Sequence, residues 1–287
     1  ITSATTGMII PPSNILIVYS LASGGASIAA LFLAGYLPGL LMGLAVAVVA
    51  AVYAYRKGYP VGEWASLKEF VIKFWRAVPS LLLLIIVIGG IVGGVFTATE
   101  ASAIAVVYTL ILSMVVYKEV KWAHLPEIFI QTVITTAVVL FLVGTSMSMS
   151  WVMSYENIPQ SFSAMLLGIS DNPIIILLLI NLILLFVGIF MDMTPSVLIF
   201  TPIFLPVVSV MGMDPVHFGI VMVMNLCIGL CTPPVGSVLF VGCGVAQVRI
   251  SQVIKPMMPM FLAMIIILML VTYLPQISLW LPRMFGF

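Results

Sequence analysis

Long apolar runs alternate with short polar interruptions along this chain, and the interruptions carry most of the information. Residues 29–55 form an apolar stretch that ends at Arg56 and Lys57. Pro38 and Gly39 within it predict a kinked helix. Residues 61–76 are amphipathic. Trp64, Leu67, Val71 and Phe74 recur at spacings of three and four, with Glu63, Lys68, Glu69 and Lys73 on the other side. That period predicts a helix lying in a membrane interface. Residues 78–117 exceed the length of one crossing, about 20 residues, and read as two spans joined near residues 93–100. Residues 125–149 predict another span, and residues 151–172 a polar-leaning loop. Residues 172–211 are again long and broken around residues 188–195. Residues 251–280 predict the last span, with Arg283 beyond it.

The most informative interruption lies in residues 226–247, LCIGLCTPPVGSVLFVGCGVAQ. Pro233 and Pro234 cannot continue a helix, because each lacks an N–H and Pro234 pushes its predecessor out of helical geometry. The apolar arm on either side is about half the length of a crossing. Two short arms around a polar turn predict a re-entrant hairpin. In hydrocarbon such a turn survives only where protein or water satisfies its bare backbone groups. Residues 7–28, GMIIPPSNILIVYSLASGGASI, repeat the pattern of residues 229–250, GLCTPPVGSVLFVGCGVAQVRI. Gly7 matches Gly229, Pro11 and Pro12 match Pro233 and Pro234, and Ile28 matches Ile250, all at one offset. Internal repeats of this kind mark many transporter folds.

Composition places the chain in lipid. Of 287 residues, 63% are hydrophobic and 7% charged, where a soluble domain carries about a quarter charged residues. The expected class is an all-α integral, multi-pass membrane protein with the lipid bilayer as solvent. The net charge of +1 implies no nucleic-acid partner. Cys227, Cys231 and Cys243 have no histidine or carboxylate close in sequence to complete a metal site, and read as small packing residues. The expected division is 1–28, a first re-entrant hairpin; 29–76, a span plus an interfacial helix; and 77–150, spans with a break near 95–100. It continues with 151–214, a loop and a broken span; 215–250, the second hairpin; and 251–287, the terminal span. Basic residues crowd residues 56–76 and recur at Lys118 and Lys121, which places both loops on the cytoplasmic side. With the segment broken at Gly188 counted as one crossing, five crossings separate the hairpins, and an odd number makes the repeats inverted. The chain opens at Ile1 without a methionine, inside the expected tip of the first hairpin. It therefore reads as a carboxy-terminal part whose first hairpin lacks its leading arm.

Charges inside apolar segments are costly and point to function. Glu100 and Asp192 stand out, each shortly after a Gly-x-Phe and each where a helix is expected to unwind. Unwound carbonyls suit a small hard cation such as Na⁺. One Na⁺ site is expected among Gly188, Gly229, Thr232 and the Val235 carbonyl. Its pseudo-symmetric partner would use Gly7 and Ser13. A negatively charged substrate would lie between the hairpin tips, facing half-helix N-termini. Ser13, Asn14 and Ser237 open the trailing arms, and Thr97, Thr99, Asp192 and Thr194 add polar groups to the candidate substrate site. The alternative for each of these residues is capping of a helix end. His124 and His217 sit beside prolines at segment ends and read as structural or interfacial, and Arg249 and Lys255 as interfacial.

Enzyme readings find no support. There is no Gly-x-x-x-x-Gly-Lys-Ser/Thr loop, no His-Glu-x-x-His box and no histidine near an intramembrane nucleophile. Catalytic residues and metals other than Na⁺ are not expected.

The motifs IIPPSNILIVYS, GGVFTATEASAIAVVY, DPVHFGIVMVMNLCIGLCTPPVG and LPQISLWLPR resemble the large membrane (M) subunit of tripartite ATP-independent periplasmic (TRAP) transporters. The likeness covers nearly the whole chain. It implies an inverted-repeat, elevator-type transporter of the bacterial inner membrane, with a scaffold, a mobile transport domain and two opposed hairpins. It implies Na⁺ as coupling ion, with two partners: a small membrane (Q) subunit and a periplasmic substrate-binding protein. The substrates it implies are organic acids, chiefly sialic acids and four-carbon dicarboxylates. Asn14 in PPSN is similar to the sialic-acid branch, which favours a sialic acid such as N-acetylneuraminate. The family pattern also has a further amino-terminal part. Two other readings fit the same broken helices. One is a Na⁺ or H⁺ channel or antiporter, and the other a structural membrane subunit with no site of its own.

Overall fold

The computed structural model describes residues 1–59, 66–170 and 172–287. Val61, Glu63, Trp64 and Asp171 of the sequence reading lie outside the described residues. Among the described residues the structure is helical throughout, without strands. Seven helices among these residues are long and apolar enough to cross a membrane. The chain divides into two compact units, Ile1–Arg56 with Phe141–Phe287, and Lys57–Leu140.

The first unit is built around α10 (Pro215–Cys231). Every residue of α10 from His217 to Cys231 is buried. A helix that is apolar all round must be enclosed all round. Its neighbours are α8 (Pro173–Phe190), α9 (Met193–Val210), α12 (Ile250–Tyr273), α1 (Ser3–Ile9), α11 (Ser237–Ala246), α2 (Asn14–Ala22) and α13 (Gln276–Met284). Tyr19 of α2 is fully buried and donates to the Pro215 carbonyl at 2.6 Å. Its ring lies where a side chain on Gly219 would stand. Lipid supplies no apolar driving force between helices, so such close packing depends on small residues and interhelical hydrogen bonds.

The two copies of the repeat match in structure. Each leading helix ends two residues before its diproline, at Ile9 in α1 and Cys231 in α10. Both diproline bonds, Pro11–Pro12 and Pro233–Pro234, are cis. The following helices begin at Ile28 and Ile250, the two residues matched in the sequence. Between them the backbone turns left-handed at Gly25 in one copy and Gln247 in the other. The pair α1 and α2 bends by 54° at its break. Part of the first leading arm is therefore present as α1, where the sequence reading expected none.

α3 (Ile28–Lys57) runs as one helix through Pro38. Gly35, Gly39 and Gly43 recur every fourth residue on one of its faces and receive α1. A Cβ on Gly35 would stand 2.5 Å from the Ile9 carbonyl, and one on Gly43 3.1 Å from the Thr6 methyl. The expected loop at residues 151–172 is largely helical. α6 (Leu125–Tyr155) continues past Met149, and α7 (Ile158–Ile169) follows with its Pro159 in the first turn. Pro is suited to that position, where its missing N–H has no partner to lose. Phe162 of α7 packs edge-on to Phe204 of α9 at 5.7 Å between ring centroids.

The break after Gly188 splits the segment into α8 and α9, each 18 residues long. At about 1.5 Å per residue each half approaches the length of a crossing. Among the described residues six helices of crossing length lie between α2 and α10; with α8 and α9 taken as one broken crossing, as the sequence reading takes them, the count is five. The expected last span also ends early. α12 stops at Tyr273, and Leu274 and Pro275 separate it from α13.

In the second unit, α4 (Leu67–Val92) joins the expected interfacial helix and the next span into one element. Pro79 inside it removes an N–H without ending the helix. Tyr108 donates to the Pro79 carbonyl at 2.7 Å, and the Tyr117 hydroxyl lies 3.4 Å from the Arg76 carbonyl. These bonds tie α5 and the turn after it to α4; the carbonyl freed by the missing N–H is that of Trp75, four residues earlier. α5 (Ala98–Ile111) follows and continues as a π-helical turn, Leu112–Val116. Thr97 and Glu100 form a capping box at its start, with Thr97 N–H and Oγ1 both 2.8 Å from Glu100 Oε2. Glu100 is uncovered by the rest of the described chain and its carboxylate is engaged in the cap.

The packing of α1 on α3 leads to a stability prediction. Gly35→Ala meets a backbone carbonyl that cannot rotate away, and overpacking of this kind costs about 1–3 kcal/mol. Its thermal midpoint in detergent is expected several degrees below wild type. Gly144→Ala on α6 meets open space and is expected to leave the midpoint unchanged. Equal midpoints for the two variants would remove α1 from the Gly35 face.

Candidate functional site

The site forms where α8 and α10 end. Gly188 and Gly229 touch backbone to backbone. A Cβ on Gly229 would lie 2.6 Å from the Gly188 Cα, and one on Gly188 3.1 Å from the Gly229 Cα. Only glycine permits this approach. The two helix C-termini therefore meet, each carrying carbonyls that lack a helical partner and a partial negative charge.

Residues 232–236 close over this contact. The Gly236 N–H donates to the Ile189 carbonyl at 3.1 Å, which ties the turn to the end of α8. Gly236 has φ +48°, and a side chain there would press on the Leu230 and Thr232 carbonyls. Thr232 folds back onto α10, with its N–H on the Gly229 carbonyl at 2.8 Å and its hydroxyl on the Ile228 carbonyl at 2.8 Å. Val235 is exposed at the tip. Gly188, Gly229, Thr232 and Val235 thus share one neighbourhood.

The first break is arranged differently. Ser13 is buried and donates to the Met8 carbonyl at 2.5 Å, closing the turn around Pro11 and Pro12. Gly7 is exposed, and a Cβ there would meet nothing. It has no packed partner like the one Gly229 finds in Gly188. Asn14 and Ser237, the first residues of α2 and α11, are both exposed. The residues before them, Ser13 and Gly236, provide no side-chain cap. The first N–H groups of these helices are left to other partners.

Asp192 occupies the N-cap position of α9 and its side chain makes no cap hydrogen bond. Its side chain is not covered by the rest of the described chain. Its carbonyl accepts from the Ser196 hydroxyl at 2.7 Å. Thr194 is half-buried in the first turn of α9. Thr97 and Thr99 belong to the other unit, where the Thr97 hydroxyl is engaged by Glu100.

A cluster of buried uncharged polar groups also lies in this unit, and only His217 of it was singled out from sequence. Asn225 of α10 donates to the Asn181 side-chain oxygen at 2.7 Å and to the Asn181 carbonyl at 2.9 Å. Asn181 of α8 donates to the Leu177 carbonyl at 2.9 Å and to Thr272 Oγ1 at 3.3 Å. His217 bonds Ser278 at 2.6 Å and the Thr272 carbonyl at 3.3 Å, which supports its structural reading. The signal was present: Asn181 and Asn225 are polar residues within long apolar runs, where such residues are rare and placed for a reason. Among the described residues no group of three or more His, Cys, Asp or Glu side chains converges as a metal site.

Residues 1–277 match the family model described as "Tripartite ATP-independent periplasmic transporter, DctM component". The whole chain is 57% identical over 286 residues to the uncharacterized protein YgiK of Salmonella typhimurium, covering 66% of that protein. It is 36% identical to the C4-dicarboxylate TRAP transporter large permease protein of Rhodobacter capsulatus, over 99% of this chain and 68% of the relative. It is 40% identical to the sialic acid TRAP transporter large permease protein of Vibrio cholerae, over 99% of this chain and 66% of the relative. The chain spans about two thirds of the length of these relatives. With its seven apolar helices it is a multi-pass protein of the bacterial inner membrane, and it belongs to the DctM family of TRAP transporter permease components, which are transporters rather than enzymes.

Proposed function

We propose that this chain carries the ion and substrate sites of a Na⁺-coupled permease subunit that imports an organic acid. The observation that carries the reading is the meeting of two helix C-termini at Gly188 and Gly229. Carbonyl-bearing helix ends attract a cation, and discontinuous helices supply such ends in secondary transporters. Na⁺ is held there by backbone oxygens around Gly188, Gly229 and Val235 and by Thr232. Gly7 and Ser13 contribute to a second site at the first break.

The substrate faces the uncapped N-termini of α2 and α11, at Ser13, Asn14 and Ser237. Free N–H groups and the positive helix end suit an anionic group. Asp192 and Thr194, at the start of α9, accept hydrogen bonds from substrate hydroxyls. The substrates named for the relatives include four-carbon dicarboxylates, sialic acid, isethionate and 2,3-diketo-L-gulonate. All are acids, and the common requirement is a site for a small organic anion. A sialic acid such as N-acetylneuraminate is the first candidate, because Asn14 opens α2 with an amide suited to a polyhydroxylated substrate. The partners are a small membrane subunit and a periplasmic protein that delivers the acid. Movement is of the elevator type, carried by the unit that holds both diproline breaks, which act as two opposed re-entrant hairpins.

The test is uptake of labelled N-acetylneuraminate and succinate by the full-length subunit, reconstituted in vesicles with its small subunit and binding protein. Accumulation is expected only with an inward Na⁺ gradient, and not when choline replaces Na⁺. Na⁺-independent uptake rejects the coupling. Ion flux without uptake of any organic acid rejects the substrate class in favour of a channel. Gly229→Ala forces α8 and α10 apart, and its Na⁺-driven uptake is expected at least tenfold below wild type, about 1.4 kcal/mol or more. Ser237→Pro removes one N–H at the start of α11 while remaining compatible with a first helical turn. It is expected to raise the KM for the acid several-fold while leaving the Na⁺ requirement intact, as initial rates against substrate concentration would show.

A further inference from the structure

Asn225 and Asn181 spend their hydrogen-bond donors in one direction. Asn225 gives both amide protons to Asn181, Asn181 gives its own to Leu177 and Thr272, and Thr272 gives its proton to the Leu268 carbonyl at 2.8 Å. Three helices, α10, α8 and α12, are joined by this relay. It leaves one group unserved: the side-chain oxygen of Asn225 is buried and has no donor among the described residues. A bare buried acceptor is costly, whereas two apolar side chains of the same shape would carry no such penalty. The pair is therefore a poor device for stability and a good one for register, as a buried asparagine is in a coiled coil.

Register matters here because of where the relay lies. Asn225 is one helical turn before Gly229 on α10, and Asn181 two turns before Gly188 on α8. Both helices run from the amide pair to the glycine contact. A slip of α10 by one residue would bring Ile228 or Leu230, both buried, against the backbone of Gly188 in place of Gly229. We propose that Asn181 and Asn225 are positioning residues that hold α10 in the one register on α8 that brings Gly188 and Gly229 together, and so set the affinity of the ion site. The inference rests on the proposed Na⁺ site for its second half only.

The experiment uses the purified full-length subunit carrying Asn181→Leu and Asn225→Leu together, so that neither amide is left unpaired. Three quantities are read: the thermal midpoint without Na⁺, the NaCl concentration for half-maximal thermal stabilisation against choline chloride, and the maleimide labelling rate of Cys227. Cys227 lies on α10 between Asn225 and Gly229 and is 1% exposed; the labelling is read with Cys231→Ser and Cys243→Ser in both proteins. The midpoint is expected within a few degrees of wild type, with half-saturation at least tenfold higher and labelling of Cys227 at least tenfold faster. Thr272→Val removes only the far acceptor and is expected to shift half-saturation two- to threefold, which provides the reading should the double variant not fold. Unchanged labelling of Cys227 overturns the register lock. Faster labelling with half-saturation within twofold of wild type overturns its link to the ion site. A wild-type protein that ignores Na⁺ rejects the proposed function, while the labelling still decides the register.

Discussion

Two helix ends pressed together through a pair of glycines are the constraint on which the rest of the first unit depends. α8 and α10 both terminate at this contact, and the chain must then leave it in two directions without stranding its carbonyls. Gly236 answers for one of them, donating to Ile189 across the break. Thr232 answers for two, on Gly229 and Ile228. Every other feature of α10 serves to keep the contact in place. The helix is enclosed on all sides, its start is anchored by Tyr19 and His217, and its middle is joined to α8 by amides. In a membrane these polar links replace the apolar driving force that would hold such a helix in water.

The first break uses the same chain geometry with different neighbours. α1 meets α3 through Gly35, Gly39 and Gly43, so the small residues lie on the following helix instead of at the helix ends themselves. Ser13 closes the turn that Thr232 and Gly236 close in the other copy. Matched helix boundaries with unmatched contacts are what a repeat of backbone leaves when its side chains serve different surroundings. Gly7, the counterpart of Gly229, has open space beside it, and equivalence in sequence did not carry over to equivalence in packing.

Much of this was legible from sequence because its signals are local. Two prolines in succession end a helix wherever they stand, so both breaks and the repeat were readable from residues 7–28 and 229–250. The pairing of Gly188 with Gly229 was readable as well, since both lie at helix ends and both lack a side chain. What failed depends on partners distant in the chain. Pro79 disfavours a helix interior by local rules, yet α4 continues through it and Tyr108, distant in the chain, bonds its carbonyl. Residues 158–169 read as a loop because their polar residues are scattered, but Phe162 finds Phe204 and the segment folds onto α9. The search for buried function followed charge, and so stopped at Glu100 and Asp192. Neither is covered by the rest of the described chain, while the buried polar chemistry sits on two uncharged asparagines.

The proposed coupling follows from the shortness of the turn between α10 and α11. Only residues 232–236 separate the C-terminus of α10 from the N-terminus of α11. The first end suits a cation and the second an anion, for the same reason of aligned peptide dipoles. A Na⁺ ion held as proposed by Gly229, Thr232 and Val235 would order that turn, and ordering it would also fix where the free N–H groups of α11 point. Binding of the anion would then meet a turn already in place, and less conformational freedom remains to be lost. Linkage would make the proposed effect mutual, with the organic acid tightening the hold on Na⁺ by the same factor. Neither ligand needs to touch the other. A turn of a few residues, anchored by Gly236 on Ile189, is sufficient to make the two sites one unit.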